Sequence, residues 1–397
     1  DAAALTVPAS YDQLHRQSVL QAARMAGLKS VRLVDRCVAA CQTLLMDTEL
    51  ESVDQTSTSI QQYSDRTILF VGLTGQSTET AVLRSEESRL HQLSTTGHWH
   101  SGTLPWLHRL VDMSADAFIK THDLDPRQST QSASRLQIAC ERAMNSLLLL
   151  PTASVTVKMK RANPFVTIDR NAWLDACREQ IEGVRRTIIK ACEQASVSLS
   201  DIDTCVTMGP LLRIAEVRSA VLGGLSETTE FHPVDRTDVA RGAAACLAGE
   251  LPGRGDVAMP PHGITSQTIG IVVEDVRGRR RILPIIPKGT SLPARTNRRL
   301  TVGKDRSTMT LSLVESSGVE GDEWHSLGRH DFEIHGDPQQ RPARTRMIGF
   351  EIDMNGILTV RAQTPGSPGS SRLPALPEPT LAEDAIAEWT QWIGEVR

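Results

Sequence analysis

The sequence has 397 residues, which is too long for one ordinary hydrophobic core, so two or three domains are expected. Its composition, 40% hydrophobic and 23% charged with a formal net charge of −4, is globular and predicts neither a nucleic-acid partner nor a membrane surface. No apolar run reaches the roughly 18 residues that a membrane span needs, and no signal peptide is visible at the N-terminus. Seven cysteines without a CxxC pair favour a reducing compartment, the cytoplasm.

The first 48 residues are predicted to begin with a strand, a helix and a second strand. Ser10 and Gln13 have the spacing of a capping box, and Gly27 is expected at the end of the helix. Cys37 and Cys41 follow four residues apart, a helical spacing that favours two small core residues over a metal pair.

Residues 68–83, ILFVGLTGQSTETAVL, predict a strand, a glycine-containing turn and a second strand. Such a turn could hold a phosphate, although residues 71–77 include neither an acid nor a lysine. The sequence HWH at 98–100 lacks a third ligand at a suitable spacing, which favours a solvated loop over a zinc site.

Helices and strands continue to alternate after this hairpin. A helical region is predicted over 104–149, a strand pair over 153–168, and a long helix with Asp169 as its cap. The next predicted elements are a strand ending at Gly209, a helix, and a helix of small residues over 238–251. This order predicts an α/β fold with an at least partly parallel sheet.

The composition changes at 249–266, which is rich in Pro and Gly and predicts a linker. Short strands without helical periodicity follow and predict a small antiparallel β domain. A flexible tail and one short amphipathic helix complete the predicted elements.

Residues 350–362 are FEIDMNGILTVRA, with Asn355 and Gly356 at a predicted hairpin turn. This segment matches the pattern F-x-I-D-x-N-G-I-L-x-V-x-A of the 70-kDa heat-shock protein (DnaK-type) chaperone family, which several segments of the chain resemble in the same order. The other matching segments are 6–35, 133–147, 200–218, 238–249 and 281–294.

The resemblance implies an actin-like (ribonuclease H-like) α/β nucleotide-binding domain followed by an antiparallel β-sandwich. It implies a partial first lobe at 1–48, a second lobe at 49–252, a linker at 253–267, a peptide-binding β-sandwich at 268–364 and a tail with a short helix at 365–397. The match starts part-way into the nucleotide-binding domain, and the chain does not begin with Met. We therefore expect an incomplete chain without the first phosphate loop and the helical lid.

The implied nucleotide site departs from the family pattern. In the second phosphate loop, F-D-L-G-G-G-T-F-D, the first Asp corresponds to Gly72, and Arg36 stands where the family has a carboxylate near the γ-phosphate. Carboxylates at such positions hold the waters around a magnesium ion. The residues that still match the family's nucleotide contacts are Gly75, Ser77, Glu79, Glu141, Gly209 and Arg213.

This erosion predicts weak binding of ATP or ADP, disfavours magnesium and hydrolysis, and assigns no catalytic residue. Each retained residue also has a structural interpretation. Gly75 and Gly209 would serve their turns, Ser77 would cap a strand end, and Glu141 would be a solvated helix acid.

The resemblance also implies coupling and peptide sites. Pro8 and Arg16 match the residues that relay the nucleotide state, and Arg32 matches an arginine that helps to dock the J-domain co-chaperone. Pro8 could equally end a strand, and Arg16 could equally lie on a helix surface. Two prolines in DVAMPPHGIT disfavour docking of the linker as a strand. The apolar positions Ile271, Leu300, Met309 and Leu311 match the family's peptide groove, or form sandwich core.

The leading hypothesis is a chaperone-like protein that binds unfolded or extended hydrophobic peptides. A basic loop at 276–281 suggests acidic clients, or is a solvated hairpin. The rival hypotheses are a non-catalytic interaction scaffold and an ATPase completed by a missing N-terminal segment.

Overall fold

A computed structural model describes residues 2–51, 65–75, 77–86, 89–99, 101–158, 163–249, 261–274, 277–301, 308–317, 324–333, 345–363, 370–372 and 382–396. Residues 52–64 of the predicted polar stretch, 253–260 of the predicted linker, and 365–369 and 373–381 of the predicted tail lie outside these ranges. The chain forms two compact units. Unit 1 comprises Asp1–Asp65, Arg84–Ser94 and Thr237–Arg397, and unit 2 comprises Arg66–Leu83 and Thr95–Arg236.

Within the described residues the helices are α1 (Gln13–Met25), α2 (Arg36–Glu51), α3 (Thr103–His122), α4 (Thr130–Leu147), α5 (Arg170–Ala176), α6 (Arg178–Ala195), α7 (Ala215–Leu222), α8 (Arg236–Gly249) and α9 (Glu383–Val396). Short 3-10 helices lie at Pro126–Gln128, Leu199–Asp201 and Leu211–Arg213.

The strands are β1 (Ala3–Val7), β2 (Val31–Asp35), β3 (Thr67–Leu73), β4 (Ser77–Glu86), β5 (Arg89–Trp99), β6 (Thr152–Thr156), β7 (Phe165–Asp169), β8 (Thr204–Met208) and β9 (Glu230–Val234). They continue with β10 (Thr268–Glu274), β11 (Arg280–Ile286), β12 (Ala294–Thr301), β13 (Thr308–Ser316), β14 (His325–Glu333), β15 (Thr345–Ile352), β16 (Leu358–Gln363) and β17 (Ser370–Arg372).

Unit 2 contains most of a five-stranded sheet with the strand order β5-β4-β3-β8-β9. β8 is parallel to both β3 and β9, and Gly72 lies in register with Met208. The apolar run of β3 is fully buried, as expected for a central strand. Because parallel strands end at the same edge, the turns after β3 and β8 are neighbours. The predicted partly parallel α/β sheet is confirmed.

The helices of unit 2 differ in detail from the prediction. Asp169 accepts a hydrogen bond from the N–H of Ala172 at 3.0 Å, as expected of an N-cap. The predicted long helix, however, ends at Ala176, and α6 begins at Arg178 after Cys177. The Cys177 thiol is fully buried, and burial raises its pKa to about 12.

The first part of unit 1 has the predicted order of strand, helix and strand, with β1 parallel to β2. The predicted capping box is wrong, because Asp12 is the N-cap of α1 and accepts from the N–H of His15 at 2.8 Å. Gly27 follows the helix with φ of +83°, a conformation that favours glycine.

Helices α2 and α8 pack closely in unit 1. A Cβ atom on Gly242 would lie 1.8 Å from the carbonyl oxygen of Ala39, so only glycine fits this crossing. Cys37 and Cys41 are fully buried in α2, which confirms that they are core residues.

The rest of the strands in unit 1 form what we call the β region, residues 268–372. It contains two four-stranded antiparallel sheets, β11-β10-β13-β14 and β12-β15-β16-β17. Both sheets contribute to one apolar cluster that includes Ile271, Leu313, Ile348 and Phe350. At the predicted hairpin turn, Gly356 has φ of +74° and Asp353 accepts from the N–H groups of Asn355 and Ile357, each at 2.9 Å.

Candidate nucleotide, coupling and peptide sites

Near the end of β3, the position where the family carries a carboxylate, Gly72, is crowded by a neighbouring ring. A Cβ atom on Gly72 would lie 3.0 Å from Cζ of Phe70, which is fully buried. Phe70 and Gly72 are two residues apart and therefore face the same side of the strand. The aromatic ring crowds the position of an aspartate side chain.

Gly75 lies in an exposed part of the turn, and a Cβ atom there would meet nothing within 4 Å. The carbonyl oxygens of Thr74 and Gly75 accept from the N–H groups of Thr103 and Leu104 at 2.9 and 3.0 Å. These two N–H groups open helix α3, where an anion could otherwise bind. Both N–H groups are therefore bonded to backbone carbonyls and are not available to an anion.

Ser77 and Glu79 lie at the start of β4 and are both buried, with 6% and 1% of their surfaces exposed. The Ser77 carbonyl accepts from the N–H of Thr74 at 3.2 Å and closes the turn. Neither side chain faces solvent, so a phosphate approaching from solvent would not reach them without a rearrangement of the turn.

Gly209 is required by the fold. Its φ is +119°, and a Cβ atom would lie 2.0 Å from the carbonyl oxygen of Leu73 at the end of β3. The structure thus brings the two glycine turns together, as the parallel sheet predicts. The side chains of Arg213 and Glu141 are exposed.

At the two positions that correspond to the aspartates of the family's second phosphate loop, no carboxylate is exposed: Gly72 has no side chain, and Glu79 is 1% exposed. Among the residues that the structure describes, no three His, Cys, Asp or Glu side chains are grouped to hold a metal ion. The crowded Gly72 position and the occupied N–H groups of α3 agree with the erosion of the sequence motif.

The predicted coupling residues lie in unit 1 around the start of α1. Pro8 is buried just after β1, and its carbonyl accepts from the N–H of Tyr11 at 3.0 Å. The Arg16 side chain is only 4% exposed and pairs with Asp35 at 2.7 Å. A buried pair of this kind is costly to break from one side only.

Arg16 and Arg32 both contact the hairpin turn of the β region. Arg16 Nη1 donates to the carbonyl of Asn355 at 3.2 Å. Arg32 Nη1 donates to Oδ1 of Asn355 at 3.1 Å and to the carbonyl of Met354. The N–H of Leu33 donates to the same Oδ1 at 2.9 Å.

From the sequence, Gln13 was expected only to cap helix α1. In the structure its side chain forms hydrogen bonds with the β region. Its Nε2 donates to the Gly356 carbonyl at 2.7 Å, and its Oε1 accepts from the N–H of Leu358 at 2.8 Å. Its own N–H points to both carboxyl oxygens of Glu315, each at 3.3 Å. We call the set Gln13, Arg16, Arg32, Glu315, Asn355, Gly356 and Leu358 the α1–β contact.

Glu315 was also missed, although β13 carries a signal for it. Met309, Leu311 and Leu313 alternate inward along the strand, and Glu315 continues that phase with an acid where a core residue is expected. It is 2% exposed. Burial, with repulsion from Asp12, raises its pKa to about 8, against the lowering effects of the Gln13 N–H and of Arg16.

Residues 261–267, the described part of the predicted linker, contain no strand, although His262 bonds to β5. The N–H of His262 donates to the Leu90 carbonyl at 2.8 Å, and the N–H of Gln92 donates to the His262 carbonyl at 3.0 Å. His262 thereby forms a parallel bridge with His91 of β5. Pro261, which has no N–H to donate, directly precedes the first bonded N–H, that of His262.

The His262 imidazole lies between two groups of β5. It stacks on the His91 ring with centroids 5.1 Å apart and planes 6° apart, and its Nε2 contacts Nη1 of Arg89. Because arginine only donates, Nε2 must accept, which requires neutral His262. Burial and then the charges of Arg89 and His91 lower the His262 pKa.

The four candidate peptide-binding residues all belong to the apolar cluster of the β region. Ile271, Met309 and Leu311 are buried, and Leu300 is partly buried and packs against them. Burial of this kind is compatible with both alternatives, core residues and the floor of a closed groove.

Comparison with known proteins gives the family. The family model for Hsp70 protein matches residues 1–393. The chain is similar to the chaperone protein DnaK of Deinococcus deserti, with 26% identity over 94% of this chain and 58% of the relative. For the DnaK proteins of Mycoplasmopsis pulmonis and Thermotoga petrophila, identity is 27% over 91% and 97% of this chain, and 58% and 63% of the relatives.

The chain thus spans about three fifths of the length of these curated relatives. Within the described residues, no helix has the length and apolar character to cross a membrane. The match of the family model to nearly all of the sequence is decisive, and the chain belongs to the Hsp70 family.

Proposed function

We propose that this chain is a chaperone-like protein that binds extended hydrophobic peptide segments in the β region, as a β-sandwich, and has a degenerate nucleotide site. The observation that carries the proposal is the single apolar cluster between the two sheets, which contains Ile271, Met309 and Leu311 with Leu300 at its margin. An extended peptide would bind there by strand-like hydrogen bonds and apolar pockets. The domain boundaries predicted from the sequence belong to this proposal.

The crowding at Gly72 supports the nucleotide part of the proposal. A site that has glycine in place of the family's aspartate, with the Phe70 ring beside it and Glu79 buried, provides no exposed carboxylate at these two positions for a hydrated magnesium ion. ATP or ADP would bind weakly through the turns at Gly75 and Gly209, with Arg213 and Glu141 as exposed contacts. No hydrolytic step is assigned to this chain.

A J-domain co-chaperone is a further proposed partner. Arg32, its candidate contact, donates to the hairpin turn of the β region. Binding of a J-domain at Arg32 would therefore compete with the α1–β contact.

Fluorescence anisotropy of the full chain with a labelled, extended leucine-rich peptide tests the peptide site. We expect Leu300→Asp to weaken binding at least tenfold, because a carboxylate at the margin of the cluster disfavours apolar side chains. Ile138→Asp is the matched control, since Ile138 is an exposed apolar residue of α4 in unit 2. Equal affinities of the two variants and the unchanged chain would contradict the proposed site.

Calorimetric titration with ATP, with and without magnesium, tests the nucleotide part. We expect millimolar affinity that magnesium does not change, and weaker binding in Arg213→Ala. Micromolar, magnesium-dependent binding would favour the ATPase hypothesis. The absence of both nucleotide and peptide binding would favour the interaction scaffold.

A further inference from the structure

The α1–β contact contains a buried carboxyl group, that of Glu315, which forms no salt bridge with any residue that the structure describes. Glu315 is nearly fully buried, and its two oxygens accept from one backbone N–H, that of Gln13, at 3.3 Å. Such distances are long for a hydrogen bond to a carboxylate. A buried carboxylate needs either a close cation or several good donors.

Arg16, the cation that lowers the pKa of Glu315, makes its hydrogen bonds to other groups. Arg16 donates through Nη2 to Asp35 and to the Ala9 carbonyl, through Nη1 to the Asn355 carbonyl and through Nε to the Tyr11 carbonyl. Its charge is balanced by the Asp35 carboxylate at 2.7 Å. Arg16 therefore has the smallest effect among the causes that shift the pKa of Glu315.

The other charged groups around Glu315 do not favour a negative charge. Asp12, the N-cap of α1, repels it, and the neighbouring His15 is paired with Asp12 at 2.6 Å. On the side of the sheet, the register partners of Glu315 are the apolar Ile269 of β10 and His325 of β14, whose side chain is exposed. The partial positive charge at the start of α1 opposes these effects only in part.

We propose that Glu315 is a neutral carboxylic acid while the α1–β contact is formed, so that formation of this contact takes up a proton. In the open form the carboxyl group would be hydrated and would ionise at ordinary pH. The contact is therefore a proton-linked latch between helix α1 and the β region. This inference goes beyond the proposed function and holds whether or not the β region binds peptide.

The direction of the pH dependence follows from linkage. The pKa of Glu315 is raised to about 8 in the contact, so the stabilisation is complete below the ordinary glutamate pKa and is lost as pH rises through the raised one. Between these limits the equilibrium shifts toward the open form about tenfold per pH unit.

Amide hydrogen exchange of the full chain measures the opening directly. The N–H groups of Leu33 and Leu358 donate to side chains across the contact, so their protection, corrected for intrinsic exchange, reports the closed fraction. We expect this protection to fall about tenfold per pH unit between pH 5.5 and 7.5. Amides of β10 and β13 report whether the β region itself remains folded.

Glu315→Gln keeps an acceptor for the Gln13 N–H and removes the titration. We expect protection in this variant that does not depend on pH and that exceeds the unchanged chain at pH 7.5. Glu351→Gln is the matched control, because Glu351 pairs with the exposed Arg295 on the other sheet, and it should behave as the unchanged chain. A pH dependence that persists in Glu315→Gln would overturn the proposal. The proposal would also be overturned if the Leu33 and Leu358 amides of Glu315→Gln lost their protection at every pH while the amides of β10 and β13 remained protected.

Discussion

Asn355 and Arg32 join the hairpin turn of the β region to strand β2 through the same amide oxygen that accepts the Leu33 N–H. Asn355→Ala removes this oxygen, so that Arg32 loses one of its acceptors and the Leu33 N–H loses the side-chain acceptor that it has in the contact. The loss of such bonds costs about 1–3 kcal/mol. We expect protection of the Leu358 amide, which lies across the same contact, to fall roughly 5- to 150-fold at pH 6.

Asn297→Ala is the control for this experiment, because Asn297 is an exposed asparagine on β12 of the β region. Asn297→Ala should not change the protection of the Leu358 amide from hydrogen exchange. Comparable losses in both variants would mean that Asn355 acts through general stability of the β region and not through Arg32.

The crossing of α2 and α8 predicts a large effect of one methyl group. Gly242→Ala places a Cβ atom 1.8 Å from the Ala39 carbonyl, a contact that backbone shifts must relieve. Overpacking of this kind costs about 1–3 kcal/mol or more. Thermal unfolding should show a lower Tm for the transition that includes unit 1.

Gly183→Ala is the matched control within a helix. Gly183 lies in α6, and the nearest atom to its Cβ position is the flexible end of Arg186 at 3.9 Å. Its replacement should stabilise the chain by about 0.5–1 kcal/mol, because alanine is the better helix former. A fall in Tm of similar size for both variants would contradict the close-packing argument.

Restoring the family's carboxylate should not restore the chemistry. Gly72→Asp puts a buried charge against the Phe70 ring, at 3.0 Å from the Cβ position, and we expect a stability loss of several kcal/mol without magnesium-dependent ATP hydrolysis. Gly75→Asp, in open space three residues later, should be nearly neutral in stability. Magnesium-dependent hydrolysis by Gly72→Asp with an unchanged Tm would show that the site lacks only this one group.

The sequence predicted the elements whose pattern is local. The hydrophobic run of β3, the glycine after α1 and the Asn355-Gly356 turn are all present where expected. In β12 and β14, by contrast, runs of arginine and polar residues hide the period-2 signal of a half-buried strand. The expected capping box was wrong because two residues, Ser10 and Asp12, could serve as caps and only the tertiary position of the chain selects one.

The candidate site was predictable only in part. Motif comparison found Gly72 and its neighbours, but the crowding of a side chain at that position comes from the Phe70 ring, which the motif does not specify. Gln13 and Glu315 are 302 positions apart, and their contact depends on how α1 meets the β region. An inward-phased acid such as Glu315 is the one signal of this contact that the sequence displays.

The bonding of His262 to β5 should depend on pH with a sign opposite to that of the α1–β contact at Glu315. The His262 pKa is lowered by burial and by Arg89 and His91. The stabilisation is therefore present above the ordinary histidine pKa of about 6.5 and is lost as pH falls through the lowered value. Protection of the His262 and Gln92 amides, which form the two bonds of this segment, should decrease below pH 6.

His262→Gln removes the titration but keeps both backbone bonds, so protection of the Gln92 amide should no longer depend on pH. His98→Gln is the control, because it changes an exposed histidine of β5. In this variant, protection of the Gln92 amide should still depend on pH. If His262→Gln instead behaves as the unchanged chain, the acid sensitivity of the segment arises elsewhere. A neutral His262 that accepts from Arg89 is then not what holds this segment on β5.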